Sequence, residues 1–200
     1  MRLFVAITPS EEAVAHLDEF LDVRRDAGEG WRWSAFDQWH LTLAFCADFP
    51  ERRIDDLEER LARAAAKRAP VRARLAGGGA FPDVGRARVL WTGLETDPAT
   101  ERTEVERMAA GARAAVAKAG GTVDGQRWRA HLTVARIGRP VEATNWVRLL
   151  DAYAGPSWLV DHLALVVSHL GEGPRGRPRH EVVGSWELGS RVRSCSSGQP

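Results

Sequence analysis

The chain has 200 residues, enough for one domain or for two half-sized lobes that share a core. With 44% hydrophobic and 28% charged residues it has the composition of neither a disordered segment nor a membrane protein. Its 28 basic and 27 acidic side chains leave a net charge of +1, which argues against extended polyanion binding and leaves room for a local basic patch that grips a short end.

Leu3 to Ile7 is a compact apolar run closed by Thr8-Pro9, which predicts a buried strand too short for a signal peptide or a membrane span. Ser10 then fits a helix N-cap, with Glu11 and Glu12 in the first turn and Ala13, Leu17, Phe20 and Leu21 at helical spacing until Gly28 and Gly30. Trp31-Arg32-Trp33 and Trp39 to Phe45 read as two short strands. In the second, period two sets His40 and Thr42 on one face. Glu51 to Arg68 is an amphipathic helix with Ile54, Leu57, Leu61 and Ala65 as its apolar stripe.

Val71 to Leu75 and Arg88 to Leu94 read as strands on either side of a turn at Gly77-Gly78-Gly79 and a loop at Phe81-Pro82-Asp83. The triple glycine lacks the Lys-Ser/Thr of a phosphate-binding P-loop. Glu101 to Ala119 is a third helix stopped by Gly120-Gly121, and Arg129 to Ile137 a strand carrying His131 and Thr133. Val141 to Tyr153 predicts a short helix, Trp158 to Leu170 an apolar strand, and Glu181 to Leu188 a last strand. Several strands are joined by tight loops, so the pattern favours an α+β fold rich in antiparallel pairing. The organisation expected is one domain over residues 1–188 and a mobile tail over 189–200. Cys46 and Cys195 have no metal-ligand spacing around them, which suits a reducing cytoplasm.

The informative feature is an internal echo nearly half a chain apart. His40-Leu41-Thr42-Leu43-Ala44-Phe45 and His131-Leu132-Thr133-Val134-Ala135-Arg136 agree at four of six positions, with Leu for Val at a fifth. A His-x-Thr strand sets an imidazole and a hydroxyl on one face about 6.5 to 7 Å apart. Two such strands facing each other surround one phosphate with two hydroxyl donors and two imidazoles, one able to take a proton and the other to give one, and no metal is required. A single strand histidine is usually structural, and His16, His162, His169 and His180 read that way. The repeated context is what sets His40 and His131 apart.

These motifs resemble those of the two-histidine phosphoesterases, and within them the RNA 2′,3′-cyclic phosphodiesterases once described as 2′-5′ RNA ligases. The likeness extends to Arg2-Leu3-Phe4-Val5-Ala6-Ile7, Arg32-Trp33, Val89 to Leu94 and Ser168-His169-Leu170. It implies two pseudo-symmetric lobes around a central cleft, and hydrolysis of terminal 2′,3′-cyclic phosphates of RNA or oligonucleotides to 2′-phosphates. It further implies His40 and His131 as the catalytic pair, Thr42 and Thr133 as phosphate-holding residues, Arg136 as a nearby positive charge and Phe45 as a ring offered to a base. His131 is assigned as the base and His40 as the acid, with the reverse order open.

The chain departs from the family pattern at Cys46-Ala47, where Leu-Gly is usual, at Ala130, where Pro is common, and at Gly176 to His180, where His180 stands near the place of a tyrosine. Arg175, Arg177 and Arg179 read equally as an RNA-steering loop or a solvated turn. Trp31, Trp33, Trp39, Trp91 and Trp128 are base-stacking candidates, more of them core than not. The resulting expectation is a cytoplasmic monomer with no metal, no organic cofactor and no membrane partner. Two rival readings are an RNA-end binding module without turnover, and action at the same centre on 2′-5′-linked oligonucleotides, a cyclic ADP-ribose phosphate or RNA ligation.

Overall fold

The computed structural model describes residues 1–28, 30–125, 127–173 and 176–190. Along the chain these form β1 (Leu3–Ile7), α1 (Glu11–Arg25), β2 (Arg32–Trp33), β3 (Leu41–Cys46), α2 (Ile54–Ala65), β4 (Val71–Phe81) and β5 (Ala87–Thr96). There follow α3 (Arg102–Lys118), β6 (His131–Val141), α4 (Thr144–Asp151), β7 (Ala154–Val160), β8 (His162–His169) and β9 (Arg179–Glu187). The sequence signals explain most of these bounds. All five residues of β1 are buried. The Ser10 hydroxyl accepts from the Ala13 amide at 3.2 Å to cap α1, whose acidic first turn and Arg24 and Arg25 in the last turn complement the helix dipole. In α2, Leu57, Leu61 and Ala65 form the buried stripe.

The strands form one sheet in the order β7-β4-β5-β6-β3-β1-β8-β9, with β2 added to β6, and every pairing is antiparallel. The α+β expectation is met. The two motif strands, β3 and β6, sit side by side in the middle, each with three further strands outside it. They are joined by a single registered pair, Leu41 with Leu132. The sheet is therefore two halves of four strands, one of them extended by β2, meeting at a seam, and the seam carries the duplicated motif.

The two faces of the sheet differ. Leu3, Val5 and Ile7 of β1 enter one continuous core with residues of all four helices, among them Leu17, Leu61, Met108 and Leu150. The alternate residues Phe4 and Ala6 face the other side, in a small cluster with Ala164, Val166 and Phe45. That second face is left to the site.

Two expectations are corrected. Gly77-Gly78-Gly79 is not a turn: β4 runs through it to Phe81 and pairs with β5 on both sides of a bulge. The glycines serve close packing, since a Cβ at Gly78 would run into Leu150 and one at Gly79 into the Trp91 ring. A separate strand, β7, also precedes the expected apolar one. It carries Pro156 without penalty because it is an edge strand paired only with β4. Leu188 is buried and Gly189 donates to the Ala65 carbonyl at 3.1 Å, so chain 188–189 is packed. The remainder of the expected tail from residue 191, with Cys195, lies outside the described residues, as does Arg175.

Candidate active site

Both motif strands carry a bulge at the same place. Opposite β1, Val5 pairs with Ala44 and Ala6 with Thr42, so Leu43 is the extra residue; opposite β5, Leu90 pairs with Ala135 and Trp91 with Thr133, so Val134 is the extra one. Strict alternation would turn Phe45 away from Thr42 and Arg136 away from Thr133, because each pair is three residues apart. The bulge resets the phase, and all four side chains line one cleft. From the Leu41–Leu132 pair, one antiparallel step to either side sets His40 level with Thr133, and Thr42 level with His131. Each histidine thus stands level with the other motif's threonine. The Trp128 indole N–H donates to the Thr42 carbonyl at 2.8 Å and ties the approach to the second motif to the first.

The two histidines are held alike. Nδ1 of His40 lies 2.7 Å from the Gln38 carbonyl and Nδ1 of His131 lies 2.9 Å from the Arg129 carbonyl, each two residues back along the chain. A carbonyl only accepts, so Nδ1 carries the proton in both rings. In the neutral form Nε2 is then the atom that can take one.

Their neighbours differ. Phe4 stacks on His40 with centroids 4.3 Å apart, and His180 stands edge-on to His40 at 5.4 Å and to Phe4 at 5.0 Å. His131 instead meets the edge of Phe81 at 4.9 Å, with Trp91 at 6.3 Å. Burial pushes the His40 imidazole down to about 4 against the pull of the Gln38 carbonyl, with His180, His131 and Arg136 adding to the depression. His131 is also lowered, chiefly by burial and then by Arg136 and Arg129. In the ligand-free cleft both rings are therefore neutral near pH 7.

The cleft has a volume of about 770 Å³ and contains all six residues singled out in the sequence: His40, His131, Thr42, Thr133, Phe45 and Arg136. It also contains Arg2, Phe4, Arg32, Gln38 and Ser168, for which sequence reasoning gave no role, together with Arg177 of the candidate steering loop and His180, which stands near the place of the family's tyrosine. Arg2 and Arg32 entered only as part of the resemblance. The one signal for them was an arginine just before β1 and another on β2. Among the described residues no Asp or Glu lines the cleft. Of the tryptophans singled out, Trp33 lines it, whereas Trp31, Trp39 and Trp91 are buried. The basic stretch divides: Arg177 lines the cleft, whereas Arg179 pairs with Glu172 at 2.9 Å and with Glu181 at 3.2 Å. Among the described residues no three His, Cys, Asp or Glu side chains gather as a metal-holding group, and no helix is long and apolar enough to cross a membrane.

Residues 7–91 match the LigT-like phosphoesterase family. The chain is 34% identical to an RNA 2′,3′-cyclic phosphodiesterase of Thermus thermophilus over 208 aligned positions, 99% of this chain and 96% of that protein. It is 30% identical to one of Archaeoglobus fulgidus over 139 positions, 70% of this chain and 74% of the relative. A crystal structure of a Thermus thermophilus protein superposes with a TM-score of 0.73 at 32% identity, over 94% of this chain and 98% of that one. Escherichia coli LigT in its apo form shares the fold, with a TM-score of 0.74 at 23% identity over the same shares, 94% and 98%. The paired strands at the seam and the full-length likeness agree, and the chain belongs to the LigT-like, RNA 2′,3′-cyclic phosphodiesterase family of phosphoesterases.

Proposed function

We propose that this chain hydrolyses the 2′,3′-cyclic phosphate at an RNA or oligonucleotide end to a 2′-phosphate, with His40 and His131 as its acid/base pair. The observation that carries this reading is the duplicated His-x-Thr strand meeting itself at the seam, inside a cleft whose described lining holds arginines and no carboxylate. The full-length likeness to an RNA 2′,3′-cyclic phosphodiesterase supports the substrate class.

In this mechanism the Thr42 and Thr133 hydroxyls donate to the nonbridging phosphate oxygens, and Arg136 offsets their charge. One imidazole takes a proton from water as the water oxygen bonds to phosphorus. The other gives its proton to the 3′-oxygen as the P–O3′ bond breaks. His131 is the base and His40 the acid in the order taken from the sequence. For a ring held at about 4 to serve as acid, the bound phosphate must restore its proton, and an anion beside an imidazole does so by favouring the charged form. Phe45 offers its ring to the terminal base. The protein acts as a cytoplasmic monomer, and each step uses side chains of this chain alone.

The test is incubation of 2′,3′-cyclic nucleotides and a short cyclic-phosphate-ended RNA with the protein in EDTA, with the product isomer read by phosphorus NMR. A 2′-phosphate is expected. A 3′-phosphate, or tight binding with no turnover, would overturn the reading, the latter in favour of an RNA-end binding module.

A further inference from the structure

The arginines of the cleft are too many for one phosphodiester. Arg2, Arg32, Arg136 and Arg177 line it, and none of the four has a carboxylate partner among the described residues. Elsewhere on the surface arginines do find partners, as Arg53 does with Asp56, Arg74 with Glu95 and Arg179 with Glu172. A reacting cyclic phosphate carries a single negative charge, so three cations remain after it is matched.

Three of the four stand together. Arg32 and Arg136 are direct partners across β2 and β6. The Arg2 guanidinium lies 4.5 Å from the centre of the Phe45 ring, and its Nε is buried without a hydrogen-bond partner. The Arg136 guanidinium is pulled below its ordinary value first by burial and then by Arg2 and Arg32, which places like charges near it. Like charges brought together without a counter-ion raise the free energy of the empty cleft, and a bound anion relieves that repulsion. Guanidinium forks match phosphate oxygens two at a time.

We propose that Arg2 and Arg32, beside the Arg136 that serves the reacting phosphate, form a second anion subsite that takes the phosphate on the 5′ side of the terminal nucleotide, so that the cleft selects an RNA end over a cyclic mononucleotide. This rests on the phosphodiesterase reading for the placement of the reacting phosphate at the two histidines. The aromatic ring of Phe45 beside Arg2 sets the terminal nucleoside between the two phosphates.

Binding separates the subsite from the chemistry. Adenosine 2′,5′-bisphosphate carries its 5′-phosphate where an RNA end carries its internucleotide phosphate, and adenosine 2′-phosphate lacks it. Calorimetry at low salt should show the bisphosphate binding about tenfold or more tighter, as one charge-assisted bidentate contact gives. The contrast should shrink with added salt, and Arg32→Gln should bring the ratio of the two dissociation constants towards one. Arg32 is exposed on a two-residue strand, so this variant tests the contact and not the fold.

Equal affinities for the two nucleotides, or a contrast unchanged in Arg32→Gln, would overturn the subsite. A tenfold contrast without turnover of any cyclic phosphate would keep the subsite and remove the hydrolase reading; turnover with equal affinities would do the reverse.

Discussion

The two halves of the site have the same backbone and different company. Each has a His-x-Thr run at the seam, a bulge one residue after the threonine and an Nδ1 proton given to the carbonyl two residues back. Around that frame the first half sets Phe4 and His180 against its imidazole and turns Phe45 into the cleft, whereas the second sets Phe81 and Trp91 against its imidazole and turns in Arg136. In the proposed mechanism, duplication supplies a symmetric grip on a symmetric group, the phosphate. The neighbours give the two imidazoles different surroundings, and His40, pushed down to about 4 chiefly by burial, can serve as the acid only once bound phosphate has restored its proton.

The largest expected effect tests the symmetric part. His40→Ala and His131→Ala should each lower kcat on a 2′,3′-cyclic phosphate by about 10²- to 10⁴-fold, with the circular dichroism spectrum unchanged. Substantial turnover in both would mean that the pair is not the catalytic centre. Thr42→Val and Thr133→Val keep volume and remove one donor each, and should cost about 10- to 100-fold in kcat/KM. Because the hydroxyls are equivalent, similar losses are expected from the two; a loss confined to one would break the symmetry of the grip.

A further contrast is one of support. Trp91, at the side of His131, lies on Gly79, and Gly79→Ala would force a methyl group into the indole. A urea melt should show destabilisation by about 1–3 kcal/mol, and an unchanged midpoint would show that the strand has room to give. The smallest effect concerns pH. Both histidines are lowered in the free cleft, so kcat/KM should fall as pH rises through a value below 6.5, where the acid loses its proton. The limb of kcat should lie at higher pH, because bound phosphate favours the imidazolium. Arg136 lowers both rings, so Arg136→Gln should move the kcat/KM limb to higher pH, and an unmoved or lowered limb would contradict that influence.

What the sequence made legible follows from which forces are local. Apolar period and capping placed β1, α1, α2 and α3 within a few residues, and the repeated motif singled out His40, Thr42, His131 and Thr133, which line one cleft, before any pairing was known. Phe45 and Arg136 were different: period two points them away from the threonines, and only the bulges at Leu43 and Val134, a property of pairing with β1 and β5, bring them round. Gly77-Gly78-Gly79 misled because glycine serves equally for a turn and for close approach, and the partners that decide, Leu150 and Trp91, come from later in the chain. β7 contains Pro156, and whether a strand tolerates proline depends on its lying at an edge, which pairing and not local sequence decides. Arg2 and Arg32 carry no local sign of a site; their meaning comes from a described cleft lining without carboxylates.

The division of labour between His40 and His131 is open to one direct measurement: turnover of a nucleoside nitrophenyl phosphodiester by the two histidine-to-alanine variants. Its leaving phenolate departs without a proton, so the variant lacking the acid should recover activity and the variant lacking the base should not. With His40 as acid, His40→Ala recovers to near the wild-type rate while His131→Ala stays inactive. Recovery of both variants, or of neither, would contradict a site in which one imidazole takes the proton and the other gives it.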